Sequence, residues 1–144
     1  MKKLVFLVLG FLAFTHRLYA VADDYAHLVG RYDMEIKIGE KVFHDILDIQ
    51  SLSETDIQKG SFKGTLTVPG VFTADLEKTS YFIMFWAGIV RINFEIVAKE
   101  NDKEFRVKYS AEKNNNGDVL IGNATLEDGS LLGTFTAIKN KEES

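Results

Sequence analysis

The sequence predicts an all-β protein: an eight-stranded antiparallel up-and-down β-barrel behind a cleaved signal peptide. Three observations carry that prediction. Eight short segments alternate apolar and polar residues, turn signals recur about every 10–15 residues, and no long helical pattern intervenes. Strand side chains point to opposite faces with period two, so alternation marks a half-buried strand. Evenly spaced short strands fit an antiparallel meander. Closing eight of them removes the edges that a flat sheet would leave exposed. A two-sheet sandwich is the alternative packing.

The first 22 residues read as a leader rather than as fold. Lys2 and Lys3 form a basic start, Leu4 to Phe14 is an eleven-residue apolar run, and Ala20-Val21-Ala22 is an A-x-A cleavage site. Leu18-Tyr19-Ala20 is a second, poorer site. The run is short of the roughly 20 residues that span a bilayer, which argues against an anchor. The expected single domain is then residues 23–144, or 122 of the 144 residues, a length that folds without a metal or disulfide.

Arg31 to Ile38 alternates strictly, with Tyr32, Met34, Ile36 and Ile38 apolar. Gly39-Glu40-Lys41 turns the chain into Val42 to Gln50, where Phe43, Leu47 and Ile49 share a face. Ser51 to Lys59 reads as a polar loop. Ser61 to Val68 alternates again, and Pro69-Gly70 makes a tight turn. Phe72, Ala74 and Leu76 face inward on the next strand. Ile89 to Ala98 sets Val90, Ile92, Phe94, Ile96 and Ala98 against Arg91, Asn93 and Glu95. Glu100 to Lys103 is a hairpin loop, followed by inward Phe105, Val107, Tyr109 and Ala111. Asn114 to Asp118 contains Asn-Gly, a strong hairpin signal. Leu120, Gly122, Ala124 and Leu126 carry the seventh strand, Asp128-Gly129 turns, and Leu131 to Ile138 is the eighth.

One segment breaks the pattern. Tyr81 to Gly88 is continuously apolar and holds Trp86, the only tryptophan. Periodicity cannot assign so short a run to strand or helix. It fits a strand buried on both faces, a short helix closing one barrel end, or an aromatic lid at the mouth.

Composition excludes several functions. The leader takes three basic residues and no acids with it, so cleavage moves the net charge from −4 to −7. That disfavours nucleic acid and anionic membranes as partners. There is no cysteine, hence no disulfide, no thiol nucleophile, no Cys zinc site and no lipoprotein anchor. A cysteine-free exported chain points to a bacterial protein, periplasmic or secreted. An outer-membrane barrel would also alternate, but mixed charges on nearly every polar face, a charged C-terminus and short connections oppose stable membrane insertion.

No catalytic motif is present: no G-x-S-x-G, H-E-x-x-H or Walker-type loop occurs. His44 and Asp48 share a strand face but lie roughly 13 Å apart, too far for one metal. The reading is therefore a non-enzyme without cofactor or metal.

Gly30-Arg31-Tyr32 resembles the G-x-W start of lipocalin and avidin-type barrels, with Tyr for Trp. Gly60-Ser61-Phe62-Lys63-Gly64-Thr65-Leu66 is similar to the G-x-F-x-G-x-Y strand of avidins. The resemblance implies a calycin-like barrel. Avidins hold biotin between several tryptophans and this chain has one, so no biotin-binding residue is carried over.

Small-molecule binding is the expected function, with an apolar ligand lined by Tyr32, Phe62, Phe72, Tyr81, Phe85, Trp86, Phe94 and Tyr109. The alternative is an exported interaction protein, a hydrolase inhibitor or envelope assembly factor, with an envelope protein as partner and its function in the loops. The export reading predicts that protein recovered from its own host has the intact mass of a chain beginning at Asp23. The mass of the full 144-residue chain would contradict it.

Overall fold

The computed structural model describes residues 27–114 and 118–140. The leader and the centre of the Asn114–Asp118 turn lie outside the described residues. Nine strands form: β1 (Gly30–Ile38), β2 (Lys41–Glu54), β3 (Lys59–Val68), β4 (Phe72–Asp75), β5 (Glu77–Met84), β6 (Ile89–Glu100), β7 (Lys103–Asn114), β8 (Val119–Leu126) and β9 (Leu131–Lys139). All pairings are antiparallel, and β1 pairs both β2 and β9. The sheet therefore closes into a barrel.

The barrel has eight staves because β4 and β5 are two halves of one. Both lie along β3, β4 at Thr65 to Val68 and β5 at Lys59 and Gly60. Between them the Thr79 hydroxyl bonds to both the N–H and the C=O of Phe62. One extra residue is accommodated here, since Glu77 opposes Glu95 but Ser80 opposes Asn93. Lys78 takes the strain, with φ of 48°, a region non-glycine residues seldom visit. The apolar 81–88 segment is thus the end of this stave and a hairpin turn. It is neither a helix nor a strand buried on both faces, because Phe82 points outward.

Two further bulges bend the sheet. Gln50 is extra in β2 opposite β3, and Leu132 is extra in β9 opposite β8. Such insertions curve the bulged strand and increase its twist, as barrel closure requires. The Gln50 bulge lets β2 continue to Glu54, so strand pairing covers half of the expected Ser51–Lys59 loop.

The inward faces supply the core. Tyr32, Met34, Leu47, Ile49, Leu66, Ile92, Phe94, Leu120 and Phe135 are almost wholly buried. Each such side chain contributes about 1.5–3 kcal/mol on burial. At mid-barrel the aromatics run wall to wall. Phe62 meets Phe94 edge-on at 6.2 Å, Phe94 stacks on Tyr109 at 4.8 Å, and Tyr109 meets Phe135 at 5.8 Å.

The two ends differ. At one end the chain preceding β1 crosses the opening and buries Leu28 completely. The Tyr32 hydroxyl donates to the Leu28 carbonyl at 2.8 Å, and Lys139 Nζ donates to the His27 carbonyl at 3.0 Å. The hairpin turns β1–β2, β3–β4, β6–β7 and β8–β9 gather at the other end. These are tight: Asn101 and Asp102 both adopt positive φ, the geometry of a two-residue hairpin turn.

Gly64 and Gly122 sit where neighbouring backbones press close. A Cβ at Gly64 would strike the Asp48 carbonyl, and one at Gly122 the Ser110 carbonyl and Ala111. Gly39, by contrast, has open space and a φ of 63° that Asn tolerates. Gly64→Val and Gly122→Val should each cost about 2 kcal/mol or more through forced backbone shifts. Gly39→Asn should cost less than about 1 kcal/mol. Urea midpoints of the three variants check the contrast, and equal losses would contradict it.

Candidate functional site

The open end is where inward apolar residues stay partly uncovered. Phe43 is 43% exposed and Phe105 39% exposed at inward positions that would be core anywhere else in the barrel. Phe72, Ala74, Ile38, Leu126 and Leu132 are half-buried around them. Val71 and Leu131, in and beside the adjoining turns, are exposed.

The wall is also incomplete there. β5 pairs β6 from Met84↔Ile89 down to Glu77↔Glu95, and the ladder stops at that point. Beyond it β4 pairs only β3, and β6 pairs only β7. The resulting seam is an open groove of about 360 Å³ lined by Val71, Phe72, Thr73, Ala74, Val97, Ala98 and Lys99. Two larger hollows lie elsewhere, about 560 Å³ beside His27 and Gln50 and about 440 Å³ over Gly122. Both take in charged outward side chains, Arg31 and Asp48 in the first and Arg91 and Glu112 in the second. Of these three hollows, the seam is the one that adjoins the uncovered rim.

An ion cluster pins the base of the seam. Glu95, outward but buried, accepts from Arg106 Nη1 at 3.2 Å, with Lys78 at 3.7 Å and Lys108 at 3.9 Å. Arg106 also reaches Glu77 and Glu127, each at 3.8 Å. Every carboxylate here is matched by a cation, which suits a clasp across β5, β6 and β7. Higher up, Lys99 on the groove wall is paired with Glu104 at 3.4 Å.

Among the described residues, two charged side chains are buried at inward positions: Lys113 at the closed end, whose Nζ lies 3.5 Å from the His27 carbonyl, and Asp45 toward the open end. Asp45 occupies the inward face of β2 between Phe43 and Leu47, beside Met34 of β1. It is 7% exposed, and its Oδ1 has no hydrogen-bond partner among the described residues. Burial pushes its pKa up, opposed in part by the neighbouring His44. Tyr109, from the opposite wall, feels the Asp45 charge, and together with burial this holds its phenol protonated far above the ordinary range. An inward carboxyl one alternation below the rim is the polar feature of this end.

The residues expected to line a ligand fall into three groups. Phe62, Phe94 and Tyr109 come together as the aromatic layer that floors the open end. Phe72 lies on the seam. Tyr32 and Tyr81 are buried toward the closed end, where burial raises both phenol pKa values. Phe85 and Trp86 sit on the β5–β6 hairpin turn at that same end. Trp86 is 73% exposed and meets only Phe82 edge-on among ring contacts, so it is no lid over the mouth. Sequence reasoning missed Asp45. The signal was available, since a carboxylate falls in register between inward Phe43 and Leu47.

Among the described residues, no group of three or more His, Cys, Asp or Glu side chains is placed to hold a metal ion. No protein-family model matches the chain, and no curated protein or solved structure matches it either.

A carboxyl that is harder to ionise in the folded state than in the unfolded one lowers stability at neutral pH. The folded protein binds that proton more tightly, so stability falls as pH rises above the ordinary aspartate value of 3.8. Asp45→Leu should therefore be more stable than the parent at pH 7, by about 1–3 kcal/mol. The gap should narrow as pH falls toward 3.8. Thermal unfolding of both proteins across that window checks this; a destabilised variant would contradict it.

Proposed function

We propose that the protein is an exported, calycin-like binding barrel that carries one small apolar molecule in the mouth and seam of its open end. The observation that carries this reading is the asymmetry of the core. Among the described residues, the inward aromatics left most exposed are Phe43 and Phe105, which with half-buried Phe72 sit where an apolar groove continues through the wall, while Leu52 and Phe85 toward the closed end are only partly uncovered. Exposed contiguous apolar surface is uncommon on a soluble chain without a use. The groove falls within the usual volume range of small-ligand sites. The aromatic layer of Phe62, Phe94, Tyr109 and Phe135 occupies the middle of the barrel, so the ligand rests on that layer rather than threading the axis. Export to a bacterial periplasm or medium follows from the leader and belongs to the same proposal.

One observation favours a second reading, a partner-binding protein. Ile57, Phe82 and Trp86 are exposed together at the closed end. Ile57 and Trp86 lie in the turns β2–β3 and β5–β6, and Phe82 on the outer face of β5 beside Trp86.

The neutral apolar fluorophore 1-N-phenylnaphthylamine separates the readings. It should brighten on binding the parent protein. Ala74→Trp, which fills the seam, should weaken binding at least about tenfold, roughly 1.4 kcal/mol. Trp86→Ala should leave affinity unchanged. Loss with Trp86→Ala and retention with Ala74→Trp would move the site to the closed end and overturn the carrier reading.

A further inference from the structure

We infer that the open end selects apolar molecules bearing a protonated amine, with the Asp45 carboxylate as the counter-ion. The inference rests on the carrier reading above and adds the chemistry of the ligand's head. Among the described residues, Asp45 is the one acidic side chain that is both buried at an inward position of the sheet and left with an unbonded oxygen. It lies one inward position from Phe43 on the rim, about 7 Å along the strand. A molecule whose apolar body lies against Phe43, Phe72 and Phe105 places its head within reach of that oxygen.

The chemistry of the wall chooses the head. A buried polar atom without a partner is costly, and a ligand that supplies the partner recovers that cost on binding. Among the described residues, none of the inward neighbours of Asp45 is a cation. Its inward neighbours are Phe43 and Leu47 on its own strand and Met34 on β1, and Tyr109 reaches it from β7 as a neutral phenol. His44, next in sequence, points to the outer surface. Lys99, on the groove wall, is already paired with Glu104. An anionic head would meet the carboxylate directly and be repelled. A hydroxyl would satisfy one oxygen without balancing charge. An ammonium group does both, and charge-assisted hydrogen bonds are about twice as strong as neutral ones.

The glutamate cluster at Glu95 does not compete for this role. Its carboxylate is already surrounded by Arg106, Lys78 and Lys108.

Three ten-carbon probes test the inference on the full-length mature protein: decylamine, decanol and decanoate, each displacing 1-N-phenylnaphthylamine. Decylamine should bind at least about tenfold tighter than decanol, and decanoate weakest. Asp45→Asn keeps the shape but removes the charge. It should erase the preference for the amine and leave the decanol affinity within about twofold. Circular dichroism of the variant confirms that it folds. If the three probes bind alike, or if Asp45→Asn leaves the amine preference intact, the counter-ion role is overturned while the carrier reading stands. If neither the fluorophore nor any of the three binds the parent, both are overturned.

Discussion

The end of the β5–β6 ladder in the fourth stave sets where this barrel opens. Between Glu77 and Ser80 the chain carries two residues where β6 carries one, and Lys78 adopts positive φ to absorb the surplus. Below this bulge the stave is hydrogen-bonded on both sides. Glu77, just past the bulge, still pairs Glu95, and above it the stave follows β3 alone. The seam between β4 and β6 begins where that ladder ends. Backbone groups along it face solvent or a ligand, since no strand covers them. The clasp of Glu95 with Arg106, Lys78 and Lys108 sits where the ladder ends, and Lys78 is both the bulged residue and a member of the clasp. The fold thus confines its opening to the upper half of one stave.

Below the opening, the barrel is built to resist change. The Phe62–Phe94–Tyr109–Phe135 layer spans the interior, and aromatic pairs of this geometry add about 0.5–1.5 kcal/mol each beyond area burial. The closed end is fastened by a single carbonyl region, Leu28 bonded by Tyr32 and His27 by Lys139. Asp45 is a buried carboxyl toward the open end of this interior, as Lys113 is a buried cation at the closed end. Its carboxyl lies among apolar neighbours, burial pushes its pKa up, and its Oδ1 has no hydrogen-bond partner among the described residues. Local features that oppose stability without a structural return are characteristic of functional positions.

Most of the fold was legible because burial on a barrel strand has one dominant signature, period two. The segments 31–38, 61–68, 89–98, 105–112, 120–126 and 131–138 all alternate, and each is a stave. Alternation failed where the chain departed from it for local reasons. Ser51 to Glu54 reads as loop because its residues are polar, yet the Gln50 bulge carries pairing through it. Tyr81 to Met84 reads as continuous core because outward Phe82 is apolar too; that outward ring rests against Trp86 rather than in the interior. The candidate site was half legible. Phe62, Phe72, Phe94 and Tyr109 are inward by pattern alone. Their division between a floor and a seam depends on where the ladder breaks, and a one-residue surplus leaves no mark on composition or periodicity. Asp45 was legible as register and overlooked as chemistry.

The separation of the two apolar features bears on which one is functional. Trp86 and Phe82 lie on a hairpin turn at the closed end, while Phe43, Phe72 and Phe105 ring the open end. The Phe82–Trp86 pair is outward and separate from the barrel interior. The open end is different, because its uncovered residues occupy positions that the rest of the sheet uses for the core. Leaving them partly uncovered forgoes only part of the roughly 1.5–3 kcal/mol that full burial of such a side chain contributes, and a buried carboxyl with an unbonded oxygen lies beside them. On the proposed carrier reading, the open seam at Ala74 and the carboxyl at Asp45 belong together: one supplies room for apolar surface and the other a charge for a cationic head.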